Sequence, residues 1–230
     1  MINRRNFIKL GLSAAAAFVM MKNPFRLFAS NSEDEEWVLP EEGRISFASG
    51  DVFVNNTSVD VGDPVKEGDV VRTGADSEAE IEIRDYAIFH IKESSTVRVD
   101  NMFIKPRVDV KKGWFLAIIK RETQFEVGTP LVLAGVRGTV LFVNVLNDEE
   151  EYICDCNGKI DLEESGQVVK KIAAKYHMAY TLRRTSGELE IKRAKLLYHT
   201  DDDILKMSDR FSRETMVIRT KASQKTGSSY

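Results

Sequence analysis

Through much of the chain, short apolar runs alternate with clusters of Gly, Asp and Asn. Residues 45–48, 52–54, 59–61, 70–73, 79–83, 87–91 and 96–99 are rich in Val, Ile, Phe and Ala and read as strands. Turn signals fall between them at 49–51, 55–56, 61–63 and 67–69. Turns spaced about 8–12 residues apart predict an all-β body. The expected architecture is a compact antiparallel β roll or sandwich of many short strands. A short C-terminal helix is expected over residues 204–213, where apolar positions recur at i, i+1, i+3 and i+7 behind capping Asp201 to Asp203.

Two apolar runs between residues 127 and 145 flank a corner, Gly135-Val136-Arg137-Gly138-Thr139. Beyond it, Thr139, Leu141, Val143 and Val145 share one face of a strand, and Val140, Phe142 and Asn144 share the other. Gly135 and Gly138 allow an unusual backbone on either side of Arg137. The fork of donors on Arg137 suits a structural pin that satisfies backbone carbonyls, with anion binding as the alternative. Residues 108–119 read as a turn followed by a strand apolar on both faces. After a charged hairpin turn at 147–151, residues 152–162 read as a strand, an Asn157-Gly158 turn and a returning strand. Further strands are expected at 168–174 and 178–182, after a Ser165-Gly166 turn, as parts of one continuous β body.

The formal charge of −3 conceals an asymmetry. Residues 1–29 carry five basic side chains (Arg4, Arg5, Lys9, Lys22 and Arg26) and no acidic one. With those set aside, 28 Lys and Arg stand against 36 Asp and Glu, a formal charge of −8. Such an acidic body lacks the basic footprint that phosphate neutralisation requires, so nucleic acid is not an expected partner. The segment Asn3-Arg4-Arg5-Asn6-Phe7-Ile8-Lys9, followed by an apolar, Ala-rich stretch to Met21, resembles the twin-arginine export signal. That resemblance implies a periplasmic or extracytoplasmic protein exported in the folded state, touching the inner membrane only through the signal if it stays uncleaved. An acidic linker is expected at residues 30–42.

A longer resemblance runs through the strands. Gly50-Asp51-Val52, then Val65, Gly68, Asp69, Val71, Thr73, Gly74, Ser77, Ala79, Ile81, Ile83 and Asp85, and later the TP…A…VRGT…F…V pattern of residues 129–145, resemble the FecR-domain family of exported bacterial β-rich modules. Tyr86-Ala87 stand where the family has Gly-Ser, so the turn there is expected to differ. The resemblance covers about residues 43–145 and divides the chain. A signal (1–29) and linker (30–42) precede a FecR-like domain (43–146), a β extension (147–200), and a short helix with a disordered tail (201–230). The best-known members pass signals to a cytoplasmic sigma factor. Here only three residues precede the Arg pair, so the cytoplasmic anti-sigma segment is expected to be lacking.

The chain has two cysteines and three histidines. On a strand, Cys154 and Cys156 face the same side, a credible half-site for zinc or copper, and His177 and His199 could complete it. Inert buried thiols remain open, as does a disulfide, for which two positions along one strand offer poor geometry. His90 reads as a satisfied strand residue. No G-x-S-x-G elbow, Walker glycine loop or other catalytic signature is present, so an enzyme is not expected. The expected function is a non-enzymatic envelope module that binds or senses a protein or glycan, the alternative being a metal-binding or thiol-redox protein.

Overall fold

A computed structural model describes residues 42–83 and 86–208, all within the second of two compact units, which begins at Leu39. The expected signal and linker lie outside the described residues, except Glu42, as do residues 209–230. Eight short strands come first: β1 (Gly43–Ser49), β2 (Val52–Val54), β3 (Thr57–Ser58), β4 (Pro64–Val65), β5 (Val70–Thr73), β6 (Glu78–Ile83), β7 (Ala87–Ile91) and β8 (Thr96–Asn101). Then follow β9 (Arg107–Ile119), β10 (Gln124–Gly128), β11 (Leu133–Asn147), β12 (Glu150–Glu164), β13 (Gln167–Ala174), β14 (Met178–Thr185) and β15 (Glu188–Arg193). A single helix among the described residues, α1 (Asp201–Ser208), ends the series.

The strands join in one branching sheet, antiparallel throughout except for β9 beside β10. The fold is therefore all-β with many short strands, as expected, and three long strands form its framework. β9 spans 13 residues, and β11 and β12 span 15 each. Each changes neighbours along its length. The first part of β11 pairs with β10 and the end of β12, and its second part pairs with β9 and the start of β12. β12 in turn carries β14 on its first half and β13 on its second.

Three expected turns are absent because the strands run through them. Lys111-Lys112-Gly113 is a register shift against β8 inside β9, not a turn. The Gly135–Thr139 corner is a bend within β11. Gly138 lies at φ +53, and a Cβ there would meet the Arg121 Cα at 2.6 Å. Asn157-Gly158 is a register shift of β12 against that bend, where Thr139 packs too close to Gly158 for any side chain to fit between them. The expected turn at Ser165-Gly166 is present. It and Ser186-Gly187, which was not expected, have positive φ at each central residue, the geometry whose twist matches a two-residue hairpin. The strand expected at 59–61 falls instead at β3, and β15 was not expected.

Alternation along the central strands separates two cores. Ile81, Phe89, Phe115, Ala117, Leu141, Val143 and Ile153 point into the larger one. On the other face Ile88, Trp114, Leu116, Val140, Phe142, Tyr152, Cys154, Cys156 and Ala179 form a second, which Ile204 and Met207 of α1 help to cover. The helix begins at Thr200 as N-cap. Asp203 accepts from the Thr200 N–H (2.8 Å) and hydroxyl (2.9 Å), which fixes the start one turn earlier than the apolar spacing suggested.

Candidate metal centre

The second core holds the chemistry. Cys154 and Cys156 both project from β12 onto this face, where Cys154 sits opposite Phe142 of β11 and Ala179 of β14. Between them Asp155 points the other way and is buried, accepting from the Thr139 hydroxyl (2.8 Å) and the Ala174 N–H (3.2 Å). His177 is carried back by the turn between β13 and β14. Its N–H donates to the Cys156 carbonyl at 3.2 Å, which hangs the imidazole over the thiols. His199 arrives from the irregular stretch before α1 and stacks on Phe142 with ring centroids 4.2 Å apart.

The four residues offer one ligand atom each, all within 4.8 Å of one another. Cys154 Sγ and Cys156 Sγ are 3.8 Å apart, unbonded, so the disulfide alternative is not what this fold holds. Cys154 Sγ lies 3.6 Å from His177 Nδ1, and Cys156 Sγ lies 3.2 Å from His199 Nε2. Zinc bonds of about 2.3 Å to sulfur and about 2.0–2.1 Å to nitrogen set the edges of a tetrahedron at about 3.8 Å for S···S and about 3.6 Å for S···N. Two observed edges match those lengths, and the third is shorter by a few tenths of an ångström.

The outer nitrogens are held as metal-bound imidazoles require. His177 Nε2 faces Asp201 Oδ1 at 2.8 Å, and His199 Nδ1 faces the Leu197 carbonyl at 3.1 Å. Both partners are acceptors. They keep the proton on the outer nitrogen and aim the lone pair of the inner one at the thiols. Tyr176 donates its hydroxyl to Asp201 as well. Asp201 was expected only to cap a helix. The acid two residues beyond His199 was the signal for its second role.

Protons are distributed unevenly over the four ligands. The hydrogen bond from Cys156, joined by contacts with His177 and His199, lowers the Cys154 pKa below the ordinary thiol value. Burial is the largest cause pushing Cys156 up, and the thiolate beside it adds to the effect. Burial works to lower His177, but its bonds to Cys154 and Asp201 outweigh that and raise it. Both directions favour the thiolate of the coupled pair at Cys154 over Cys156.

Other expected sites fare differently. Arg137 is exposed on β11 and is no pin for carbonyls. The bend it was meant to brace is made by Gly138 instead. Arg137 lines an open groove of about 820 Å³ in which it and Lys105, Lys159 and Lys171 are interleaved with Glu126, Asp161 and Glu163, a mixed field with one cation in excess. Gly135 lines the same groove, with only the Asp161 carbonyl near a hypothetical Cβ, at 3.7 Å. His90 is a satisfied strand residue, buried with Nε2 2.9 Å from Glu78. Arg4 and Arg5 lie outside the described residues.

Comparison with known proteins adds a family to this geometry. Residues 69–156 match the FecR protein family. The FecR-like stretch therefore runs from just before β5 into β12 and takes in both cysteines, whereas His177 and His199 lie beyond it. No curated protein sequence matches the chain. Two crystal structures, at 1.65 and 2.50 Å, of a candidate anti-sigma factor from Parabacteroides distasonis ATCC 8503 are similar at 17% identity and a TM-score of 0.46. Each comparison covers 54% of this chain and 59% of the other, so the chain spans well under two thirds of that protein. No helix among the described residues is long and apolar enough to cross a membrane.

Proposed function

We propose that the protein is a non-enzymatic FecR-like binding or sensing module of the cell envelope that holds one zinc ion between Cys154, Cys156, His177 and His199. The observation that carries the metal reading is the convergence of those four ligand atoms within 4.8 Å, from positions spread over 46 residues of sequence. Two thiols and two imidazoles are the donor set of a closed tetrahedral zinc site. Cu⁺ also takes thiolates and imidazoles, but a set of four mixed sulfur and nitrogen ligands is the set of a structural zinc site. Four protein ligands leave no open position for a substrate, which supports the non-enzymatic reading. The FecR match supports a module that recognises a protein or glycan of the envelope, and the Arg4-Arg5 segment supports export in the folded, metal-loaded state.

The test is a cobalt(II) titration of the reduced protein, followed by displacement with zinc. Strong visible bands and a near-ultraviolet thiolate charge-transfer band at one equivalent, absent from the Cys154→Ser, Cys156→Ser variant, are the expected result. Weak pink absorption of hydrated cobalt throughout would refute the site. The export part is tested with residues 1–29 fused to a reporter. Arg4→Lys with Arg5→Lys should leave that reporter in the cytoplasm, and unchanged export would remove this part of the reading.

A further inference from the structure

The four proposed ligands do not come from one rigid frame. Cys154 and Cys156 stand on β12, and His177 is tied to β12 through its backbone bond to Cys156. His199 belongs instead to the segment 194–208, which crosses the outer face of the sheet. That segment is thin. Seven irregular residues lead to α1, whose described residues are Asp201–Ser208, with Ile204, Met207 and Ser208 buried.

Beneath it lies an apolar face. Trp114, Phe142 and Tyr152 are 7%, 0% and 1% exposed, and on this side they are packed against His199, Tyr198 and α1. Polar bonds also hold the cover down, among them those of Asp201 to His177 and Tyr176. The Tyr152 hydroxyl donates to the Lys195 carbonyl (3.1 Å) and accepts from the Leu197 N–H (3.0 Å), and Trp114 Nε1 donates to the Tyr198 carbonyl (2.8 Å). Lys92 pairs with Asp203 at 2.7 Å.

The backbone that delivers His199 is strained. Tyr198 lies at φ +66, and the His199 N–H donates to the Leu197 carbonyl at 2.9 Å. A three-residue turn closed across a positive-φ residue is rare, and for a bulky side chain it persists only where the surroundings hold it. Leu196 and Leu197 are each more than 40% exposed, so little packing of those two side chains opposes release.

We propose that the metal is a latch. Bound to Cys154, Cys156 and His177 on the sheet side and to His199 on the cover side, it fastens segment 194–208 over the Trp114–Phe142–Tyr152 face. Its removal relaxes the Tyr198 turn and lets the segment lift, with the rest of the sheet intact. The occupant of the apolar face is thus the chain's own segment, and metal occupancy decides whether that face is covered. This inference rests on the metal reading above, because without an ion there is no cross-link to remove.

The experiment uses the full chain with Trp37→Phe, which leaves Trp114 as the sole tryptophan. Bound zinc, Trp114 emission, acrylamide quenching and far-ultraviolet circular dichroism are read on the same samples. They are compared zinc-loaded, stripped by chelator under reductant, and reloaded. The latch predicts one zinc per chain, a red shift and a severalfold rise in quenching on stripping, reversal on reloading, and an unchanged β signal. Zinc bound at one per chain with Trp114 equally shielded after stripping would overturn the latch and leave the site standing. Collapse of the β signal on stripping would also overturn it, since the ion would then hold the whole fold. No bound zinc in any sample would overturn the site and the latch together.

Discussion

The proton inventory of the four ligands, with segment 194–208 seated, predicts how zinc affinity depends on pH. Cys154 is held below the ordinary thiol value and so contributes little of the proton release on binding. Cys156, pushed up by burial, must lose one, and His177, raised by Cys154 and Asp201, must lose whatever share it carries at the working pH. Zinc binding near neutral pH should then release between about one and two protons. The sign follows directly. Acid returns protons to the ligands and competes with the metal, so affinity falls as pH falls. Each proton released makes the dissociation constant about tenfold weaker per pH unit, which is about 1.4 kcal/mol, so the slope should lie between about tenfold and a hundredfold per unit. Calorimetry of zinc binding to the reduced protein, repeated in buffers of different ionisation enthalpy, counts the protons directly. Competition with a chromophoric chelator from pH 6 to 8 gives the slope independently. A count near zero with a flat profile would refute the reasoning, because buried thiols cannot become ligands without losing protons.

Other consequences can be checked alongside. Asp201→Ala removes the carboxylate 2.8 Å from His177 Nε2. It should weaken zinc binding by about 10–100-fold without abolishing it, measured by chelator competition. Glu151 is fully buried on β12, its Oε1 accepts from the Thr129 hydroxyl at 2.8 Å, and its Oε2 has no hydrogen-bond partner among the described residues. Burial pushes its pKa from 4.5 to about 7, so the fold favours the protonated form. That stabilisation is complete below pH about 4.5 and is lost as pH rises through about 7, by at most about 3 kcal/mol. Glu151→Gln should remove this loss, and urea titrations at pH 5 and 8 should show a smaller difference for the variant than for the wild type. An equal difference would show that Glu151 is ionised in the fold. Gly138→Val would place a branched side chain at φ +53 against the Arg121 backbone and should cost at least about 2 kcal/mol, read as a lower urea midpoint.

Much of the fold was legible because the local signals were two-fold periodic. The alternation in residues 139–145 gave the correct faces, and Trp114 to Ile119 was correctly read as apolar on both. What local patterning could not supply was continuity through a glycine. Gly113, Gly138 and Gly158 look like turns in sequence, but each lies where a long strand bends against a neighbour more than fifteen residues away. Nor could it show what covers the second face. Phe142 and Tyr152 are buried by residues 40 or more positions later, and β15, which leads the chain there, was missed although Ser186-Gly187 separates two alternating runs. The metal centre was half written in the sequence. Cys154 and Cys156 share a face by the period of a strand, whatever the tertiary fold. His177 and His199 became partners by scarcity, and only the β13–β14 and β14–β15 hairpins bring them to the thiols. Asp201 was hidden within an acidic run whose bland reading, a helix cap, was also reasonable.

The central claim is that these four side chains hold an ion. Elemental analysis of the full chain, purified without added metal or chelator from the fraction in which it accumulates, tests this most directly when run beside the Cys154→Ser, Cys156→Ser variant. The account predicts close to one zinc per chain in the wild type and none in the variant, with both proteins folded by circular dichroism. Wild-type protein that is folded, reduced and free of transition metal, and that takes up none when zinc is supplied, would contradict it.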